Sequence, residues 1–433
     1  MFIFSYLVRL STGVLGPELM RDLEIDAAQL GLLGGVFFYA FAIVQIPVGL
    51  ALDSFKPKRV IVLTTFLAAL GCFLLSDATS FTTALYGRIL IGLGTSAVLM
   101  GSLKILGDWF RPNEFGFLSG FMLSLGNLGA LISATPLVFV SAELGWRKCF
   151  FSFGLLVILL TLLISLFVRN SPVEERNERL GLSLKDKISK AILDPLASVF
   201  SSRHFWFIAL SSLIRYGALV SIQGFLGTLF LLDILGYSAQ TSGNILSMIS
   251  IGYMIGSPLA GRLSDRVLMS RKKVMVAGLL LFAITVMPFL FFQTQNTILW
   301  YGVFFGLGFF ASVGAISFVH AKELFPKEVG GLAMTAINLF NIGGVGIGQQ
   351  FLGIVLRRFP RTSRGYPLDA YQQAFGILFL ASVAAFIVYL AAKDTSPSRL
   401  PEADQKKGGQ HRIQGLQTQK GADRPREQSG MEI

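Results

Sequence analysis

Apolar residues in this chain form long uninterrupted stretches, separated by short polar segments rich in Gly, Pro, Lys and Arg. The stretches do not alternate with period two. Most are about 20 residues long, the length a helix needs to cross a ~30 Å hydrocarbon layer. Twelve spans are predicted, at 2–20, 29–52, 60–76, 81–104, 117–140, 148–168, 205–232, 241–262, 274–293, 298–321, 330–356 and 371–392. The first begins almost at Met1, with no basic stretch before it and no cleavage site after it. It therefore reads as a span and not as a signal peptide.

The longest internal polar segment, 169–204, divides six spans (1–168) from six more (205–392). Within it Leu180, Leu184, Ile188 and Ile192 recur every fourth residue, and Ser183 with Asp186 resembles a capping box. That pattern predicts a helix lying on the membrane surface. The last segment, 393–433, mixes eight basic and six acidic residues among Gly and Gln, and is expected to stay disordered.

Composition agrees with the spans. Hydrophobic residues make up 53% of the chain, charged residues 14%, and mean hydropathy is +0.64. A soluble globular chain carries about 25% charge. A soluble enzyme, a secreted disulfide scaffold and a disordered protein are excluded, and unbroken apolar runs argue against a β-barrel porin. Cys72 and Cys149 lie in or beside apolar segments and read as free buried thiols. No phosphate-cradling Gly-rich loop and no His-Glu-x-x-His is present, and His204, His320 and His411 stand apart from other metal ligands. No nucleophile–base set is visible, so neither an enzyme, a metal nor a cofactor is expected.

The net charge of +12 suggests nucleic acid until the charges are mapped. Loops on one side of the predicted membrane hold 27 Lys and Arg, and loops on the other hold seven. The richer side is expected to be cytoplasmic, with both termini inside, and nucleic acid is not an expected partner. Arg357, Arg358, Arg361 and Arg364 depart from this pattern, and the sequence offers no account of them.

The two halves repeat. Gly49 and Asp53 close span two; Gly261 and Asp265, offset by 212, close span eight. Gly92-Leu93-Gly94 returns as Gly306-Leu307-Gly308, Glu114 and Gly116 as Glu328 and Gly330, and Asn127-Leu128-Gly129 as Asn341-Ile342-Gly343, all offset by 214. Ordered matches at nearly one offset indicate duplication. Six is even, so both halves enter the membrane from the same side. The expected fold is an all-α membrane protein of twelve transmembrane helices in two parallel-repeat six-helix bundles, its substrate site between the halves near mid-membrane.

The repeated loops resemble the signature of the major facilitator superfamily: Gly49 and Asp53 with Lys58-Arg59, echoed by Gly261 and Asp265-Arg266. Arg88 before Gly92-x-Gly94 resembles that superfamily's fourth-helix motif. The resemblance covers roughly residues 1–392 and implies transport by alternating access. Asp53 and Asp265, at helix ends beside cations such as Arg59 and Arg266, then suit a charge latch on the cytoplasmic side. The plainer reading is a solvated loop that sets topology.

Three basic residues fall well inside spans: Arg9, Arg88 and Arg215. A charge near the bilayer centre costs roughly 2.5–3.5 kcal/mol on insertion scales, which makes each a functional candidate. Arg9 lies twelve residues before Arg21, or about 18 Å along a helix, near mid-depth. Arg215 is equally deep in span seven, the repeat partner of span one. No Asp or Glu lies at comparable depth. A buried Arg needs a partner, and two without resident carboxylates point to an anion that arrives from outside. The competing reading is that each guanidinium bonds backbone carbonyls and braces helices, which is the favoured role for Arg88.

Tyr6-Leu7-Val8-Arg9 and Leu213-Ile214-Arg215-Tyr216-Gly217 resemble the Arg-bearing stretches of the organophosphate:phosphate antiporter family, which includes glycerol-3-phosphate and hexose-phosphate exchangers. The resemblance implies that Arg9 and Arg215 grip the anion and that Tyr6 helps. Gln45 stands where that family has a lysine, Val220-Ser221 where it has Asp-Trp, and span five has no histidine. A related anion:cation symporter family has an acid before its first-helix Arg; here Val8 occupies that place. Gln45, Tyr216 and Asn341 complete the candidate substrate set. Tyr39, Asn127, Gln223, Asn244, Tyr253, Asn338, Gln349 and Gln350 are polar span residues that either line the cavity or bond helix to helix.

The expected function is secondary active or facilitative transport of a small organic anion, phosphorylated or carboxylated, by a monomer in a bacterial plasma membrane. Lack of a mid-depth acid favours exchange or uniport. Two alternatives are a transporter-like membrane sensor of an anionic metabolite and a proton-coupled symporter of another small solute. Span five lacks the Gly-Pro-rich signature of drug:proton antiporters between Gly126 and Pro136.

Overall fold

Each predicted span becomes helix because its backbone polar groups, removed from water, must be satisfied within the segment. The computed structural model describes residues 1–110, 112–168, 194–291, 294–362 and 365–395. Span one is α1 (Phe2–Val14) and α2 (Gly16–Asp22), and span two is α3 (Ala27–Ile43) and α4 (Gln45–Ser54). Spans three to six are α5 (Pro57–Ser76), α6 (Phe81–Trp109), the pair α7 (Pro112–Ile132) and α8 (Thr135–Leu144), and α9 (Trp146–Phe167). A short helix, α10 (Asp194–Ser201), ends the linker. Span seven is α11 (Arg203–Ser221), a π-helical turn at Ile222–Leu226 and α12 (Gly227–Asp233). Span eight is α13 (Ala239–Arg262), running into a second π turn at Leu263–Val267. Spans nine to twelve are α14 (Arg271–Val286) with α15 (Pro288–Phe291), α16 (Thr297–Ala311) with α17 (Gly314–Glu323), α18 (Lys327–Arg357) and α19 (Leu368–Leu390). The surface helix expected near 180–192 and the tail beyond 395 lie outside the described residues.

Spans three, four, six, seven, nine, ten, eleven and twelve are long and apolar enough to cross a bilayer, with mean hydropathies from 1.5 to 2.7. Span eight is long enough but more polar. Span five bends by 44° between α7 and α8, where Pro136 sits in the first turn of the new helix. The 120° turn between α2 and α3 joins spans one and two. Of these eight spans α9 is the least buried. Its Leu155, Leu159, Leu162 and Leu166, spaced by three and four, are exposed. In a membrane that stripe faces lipid. Cys72 and Cys149 are free and buried.

The two halves meet mainly through α3 against α18, α1 against the first π turn, and α7 and α8 against α13. These contacts run from the end of the molecule that carries Arg21 toward mid-depth. At their centre α1 crosses span seven so closely that a Cβ on Gly13 would lie 1.9 Å from the carbonyl oxygen of Gly224, so only glycine permits the approach. Polar contacts reinforce the seal. Tyr39 donates to Gln350 Oε1 at 2.8 Å, Thr135 to Asn244 Oδ1 at 2.6 Å, and the Ala27 amide to the Tyr366 hydroxyl at 3.1 Å. Arg357 pairs with Asp26 across the halves at 3.1 Å, which accounts for one of the four unexplained arginines. The opposite end carries the basic loops, and there α4, α5 and α6 pack chiefly within their own half.

Candidate functional site

Arg88 is fully buried in α6. It donates to the Val8 carbonyl at 2.8 Å and the Leu33 carbonyl at 3.3 Å, and lies 5.0 Å from the Phe37 ring. One side chain thus ties span four to spans one and two.

Arg9 differs. It projects from α1 and is 6% exposed, with its guanidinium 4.7 Å from the Tyr6 ring and 5.3 Å from the Phe41 ring. The negative faces of those rings partly offset its desolvation. Its Nε has no hydrogen-bond partner, and no carboxylate among the described residues pairs with it. Arg215, on α11, is 1% exposed. It donates through Nη1 to the Ala311 carbonyl at 2.7 Å, while its Nε is unpartnered. Of the two arginines, Arg215 is held by a backbone carbonyl, whereas Arg9 is held by Tyr6 and its neighbouring rings.

Both line one cavity, whose empty space, its open mouth included, is about 530 Å³. Its lining includes Tyr6 and Tyr216 beside the arginines, Asn338 and Asn341 from α18, and Tyr253 from α13. Phe2, Phe41, Leu99, Phe318 and Ile342 supply apolar walls, and among the described residues no acidic side chain lines it. Asn341 is 3% exposed and its Oδ1 accepts no hydrogen bond. Buried donors and acceptors are costly to leave unmet. The residues that line the cavity thus carry two unpartnered guanidinium nitrogens and an unpartnered amide oxygen, a set that an anion bearing hydrogen-bond donors would satisfy.

Of the sequence candidates, Arg9, Arg215, Tyr6, Tyr216 and Asn341 come together here. Gln45 does not. It begins α4, just past the break in span two, and its amide donates to Met100 Sδ at 3.6 Å, outside the cavity lining. Tyr253 and Asn338 were polar span residues with two open readings, and the structure places both in the wall. Phe2, Phe41, Leu99 and Phe318 carried no signal, because an apolar residue in a span looks the same whether it faces lipid, core or cavity.

The expected latch residues lie at the far end. Gly49 and Gly261 are half-buried in open surroundings, and Arg59 and Arg266 are exposed. The side chain of Asp53 lies outside the described set. Asp265 pairs with Arg271 of its own half and not with the neighbouring Arg266. Arg271 also donates to Glu323 at 2.9 Å and to the Ser264 hydroxyl at 3.0 Å. Residues 393–395 are stitched to the same corner. Thr395 donates to Glu323 at 2.6 Å, and Asp394 accepts from the Ser270 hydroxyl at 2.6 Å and the Lys272 amide at 3.0 Å.

The family model for the Major Facilitator Superfamily matches residues 1–232 and 209–422. The chain belongs to this superfamily. It is a membrane-embedded transporter-family protein of all-helical fold, as the repeated loops and Arg88 motif suggested. Members of the superfamily similar to it include the probable galactarate/D-glucarate transporter of Escherichia coli (strain K12), 25% identical over 79% of this chain and 82% of the relative. The probable L-galactonate transporter of the same organism is 28% identical over 64% of each chain. The probable sulfoacetate transporter of Cupriavidus necator is 27% identical over 40% of each. Among solved structures, a bacterial homolog to the human lysosomal transporter Spinster superposes with a TM-score of 0.71 at 17% identity, covering 90% of this chain and 94% of that one. The D-xylose-proton symporter gives a TM-score of 0.71 at 15% identity, over 90% and 96%. Identities this low speak for the fold alone.

Proposed function

We propose that this protein is a secondary transporter of a small carboxylated organic anion, a sugar acid in class, working by alternating access. The observation that carries the reading is Arg9: a buried guanidinium with an unmet donor, no acid beside it, and a cavity shared with Arg215. A carboxylate would supply the missing acceptor, and charge-assisted hydrogen bonds of this kind are the strong ones. Asn341 adds the class. Its unmet Oδ1 calls for a donor, which the hydroxyls of a sugar acid would provide. The superfamily relatives named for galactarate, glucarate and galactonate point the same way, and so does a lining that among the described residues holds no third cation of the kind a phosphate dianion would favour.

With the basic loops toward the cytoplasm, the seal at the Arg21 end closes the outer face, and the cavity is approached from inside. Both termini are then cytoplasmic, and the membrane is a bacterial plasma membrane. Since no acid among the described residues lines the cavity to carry a proton, exchange or uniport is the mode this reading favours.

Uptake of labelled D-galactarate and D-glucarate into proteoliposomes tests the reading. Arg9→Ala and Arg215→Ala are expected to abolish it. Arg9→Lys, which keeps the charge but loses the planar fork, should weaken it by about tenfold or more. Uptake surviving the double alanine change would remove the site.

A further inference from the structure

Span ten is interrupted at Ser312 and Val313, between α16 and α17. No proline or glycine explains the interruption at those two positions. In an unbroken helix the Ala311 carbonyl would accept from the Ala315 amide, four residues on. Here the Ala315 amide donates instead to Ser312 at 3.1 Å, and the Ile316 amide to Val313 at 2.9 Å. The Ala311 carbonyl takes Arg215 Nη1 at 2.7 Å. A side chain inserted into the helical ladder is a recognised cause of helix breaks. The socket is shaped for it: a Cβ on Gly314 would stand 2.0 Å from Arg215 Cζ, so only glycine leaves room for the guanidinium.

The helix beyond the break joins two places that matter. α17 begins at the Arg215 socket, puts Phe318 into the cavity wall, and ends at Glu323, which is bonded to Arg271 and through it to Asp265. The first half has no such break, since α6 runs unbroken from Phe81 to Trp109 and Arg9 bonds none of its carbonyls.

We infer that the break in span ten is an anion-sensing hinge. This rests on the proposal that Arg215 binds the anion. A carboxylate competes for Arg215 more strongly than a neutral carbonyl does. When Arg215 turns to the guest, the Ala311 carbonyl is left unpaired and the Ala315 amide returns to it. Span ten becomes continuous, α17 swings as a short rod, and the Glu323–Arg271–Asp265 corner moves with it. Occupancy of the cavity is thereby reported at the opposite end of the half.

The test labels Lys322→Cys at the end of α17 and Arg203→Cys at the start of α11, in a background with Cys72 and Cys149 replaced. Both labels lie in one half, so their spin–spin distance reports the hinge and not the rocking of halves. Two arms separate the hinge from the anion reading. Without any ligand, Arg215→Ala and Arg215→Gln should both shift the distance, because each vacates the Ala311 carbonyl. Adding Ala315→Pro, which removes the returning amide in the first turn of α17 at the cost of its present bond to Ser312, should cancel that shift. In the second arm D-galactarate should shift the distance in the protein with Arg215 intact, and not with Ala315→Pro, while binding persists. If neither Arg215 variant moves the distance, or Ala315→Pro supports normal uptake, the hinge is overturned. If the variants move it but neither D-galactarate nor inorganic phosphate does, the hinge stands and the anion assignment of Arg215 fails.

Discussion

Arg88 donates to the carbonyl of Val8 at 2.8 Å, one residue before Arg9. The brace and the substrate candidate are therefore neighbours on one turn of α1. A second bond to Leu33 fixes the same guanidinium to span two, so the azimuth of Arg9 is set from two helices. Arg88→Lys keeps a charge but cannot reach both carbonyls. It is expected to lower the affinity for D-galactarate by about tenfold or more, because small misplacements of a binding group are expensive, and to lower the melting temperature as well. Isothermal titration beside thermal unfolding checks this. A fall in melting temperature with unchanged affinity would leave Arg88 a brace for the fold and nothing more.

The crossing of Gly13 and Gly224 sets the seal. Gly13→Ala would drive a methyl into the Gly224 carbonyl, whereas a Cβ on Gly224 would meet only Gln349 and Leu10 side-chain atoms at 3.2 Å. Overpacking costs about 1–3 kcal/mol, which moves a two-state ratio by about 5- to 150-fold. Gly13→Ala should expose a thiol at Thr12→Cys to an impermeant reagent from the Arg21 face, and Gly224→Ala should do so less. Equal labelling in both variants and the parent would show that the crossing does not hold the seal.

Asp26 and Arg357 should respond unequally to substitution. Their ion pair is exposed, with 66% of the Arg357 side chain accessible, and such pairs contribute about 0–1 kcal/mol. Asp26 has a second task. It caps α3 by accepting the Gln29 amide at 2.8 Å while Gln29 returns a bond to the Asp26 amide. Asp26→Ala is expected to cost about 1 kcal/mol and Arg357→Ala little, measured as unfolding in detergent. Equal losses would mean that the pair and not the cap carries the effect.

Asp394 makes stability depend on pH. Partial burial alone would raise its pKa, but hydrogen bonds from the Ser270 hydroxyl and the Lys272 amide outweigh that and hold it below the ordinary value of 3.8. A carboxylate depressed on folding contributes stability that is present above its unfolded value and is lost as pH falls through the folded one. Asp394→Asn should therefore lower the melting temperature at pH 7, by an amount that shrinks as pH falls below 3.8. A pH-independent gap between the two proteins would assign the effect to packing.

The twelve spans were legible because apolar length is a local property, and the repeat was legible because its glycines and charges survive as letters. Breaks were legible only where a proline marks them, as Pro136 does at the start of α8. The break at Ser312 and Val313 was invisible, since its cause is a guanidinium about a hundred residues earlier in the chain. Arg9 and Arg215 were found because charge at mid-depth is costly anywhere it occurs. That Arg215 is half-satisfied by Ala311 and Arg9 is not depends on which helix end lies opposite, and no spacing encodes that. Gln45 illustrates the converse: its depth was readable, but which way span two turns after Val44 was not. The pairing of Asp265 with Arg271 over the adjacent Arg266 likewise follows from the π turn at Leu263–Val267, which redirects the chain just there.

The crossing at Gly13 and Gly224 is backbone against backbone, and the walls that touch cargo belong to other residues. On the function proposed above, selection can therefore exchange Asn341, Tyr253 or Phe318 in the cavity wall without reopening the question of leakage. An architecture that keeps watertightness and taste in separate hands can diversify one substitution at a time.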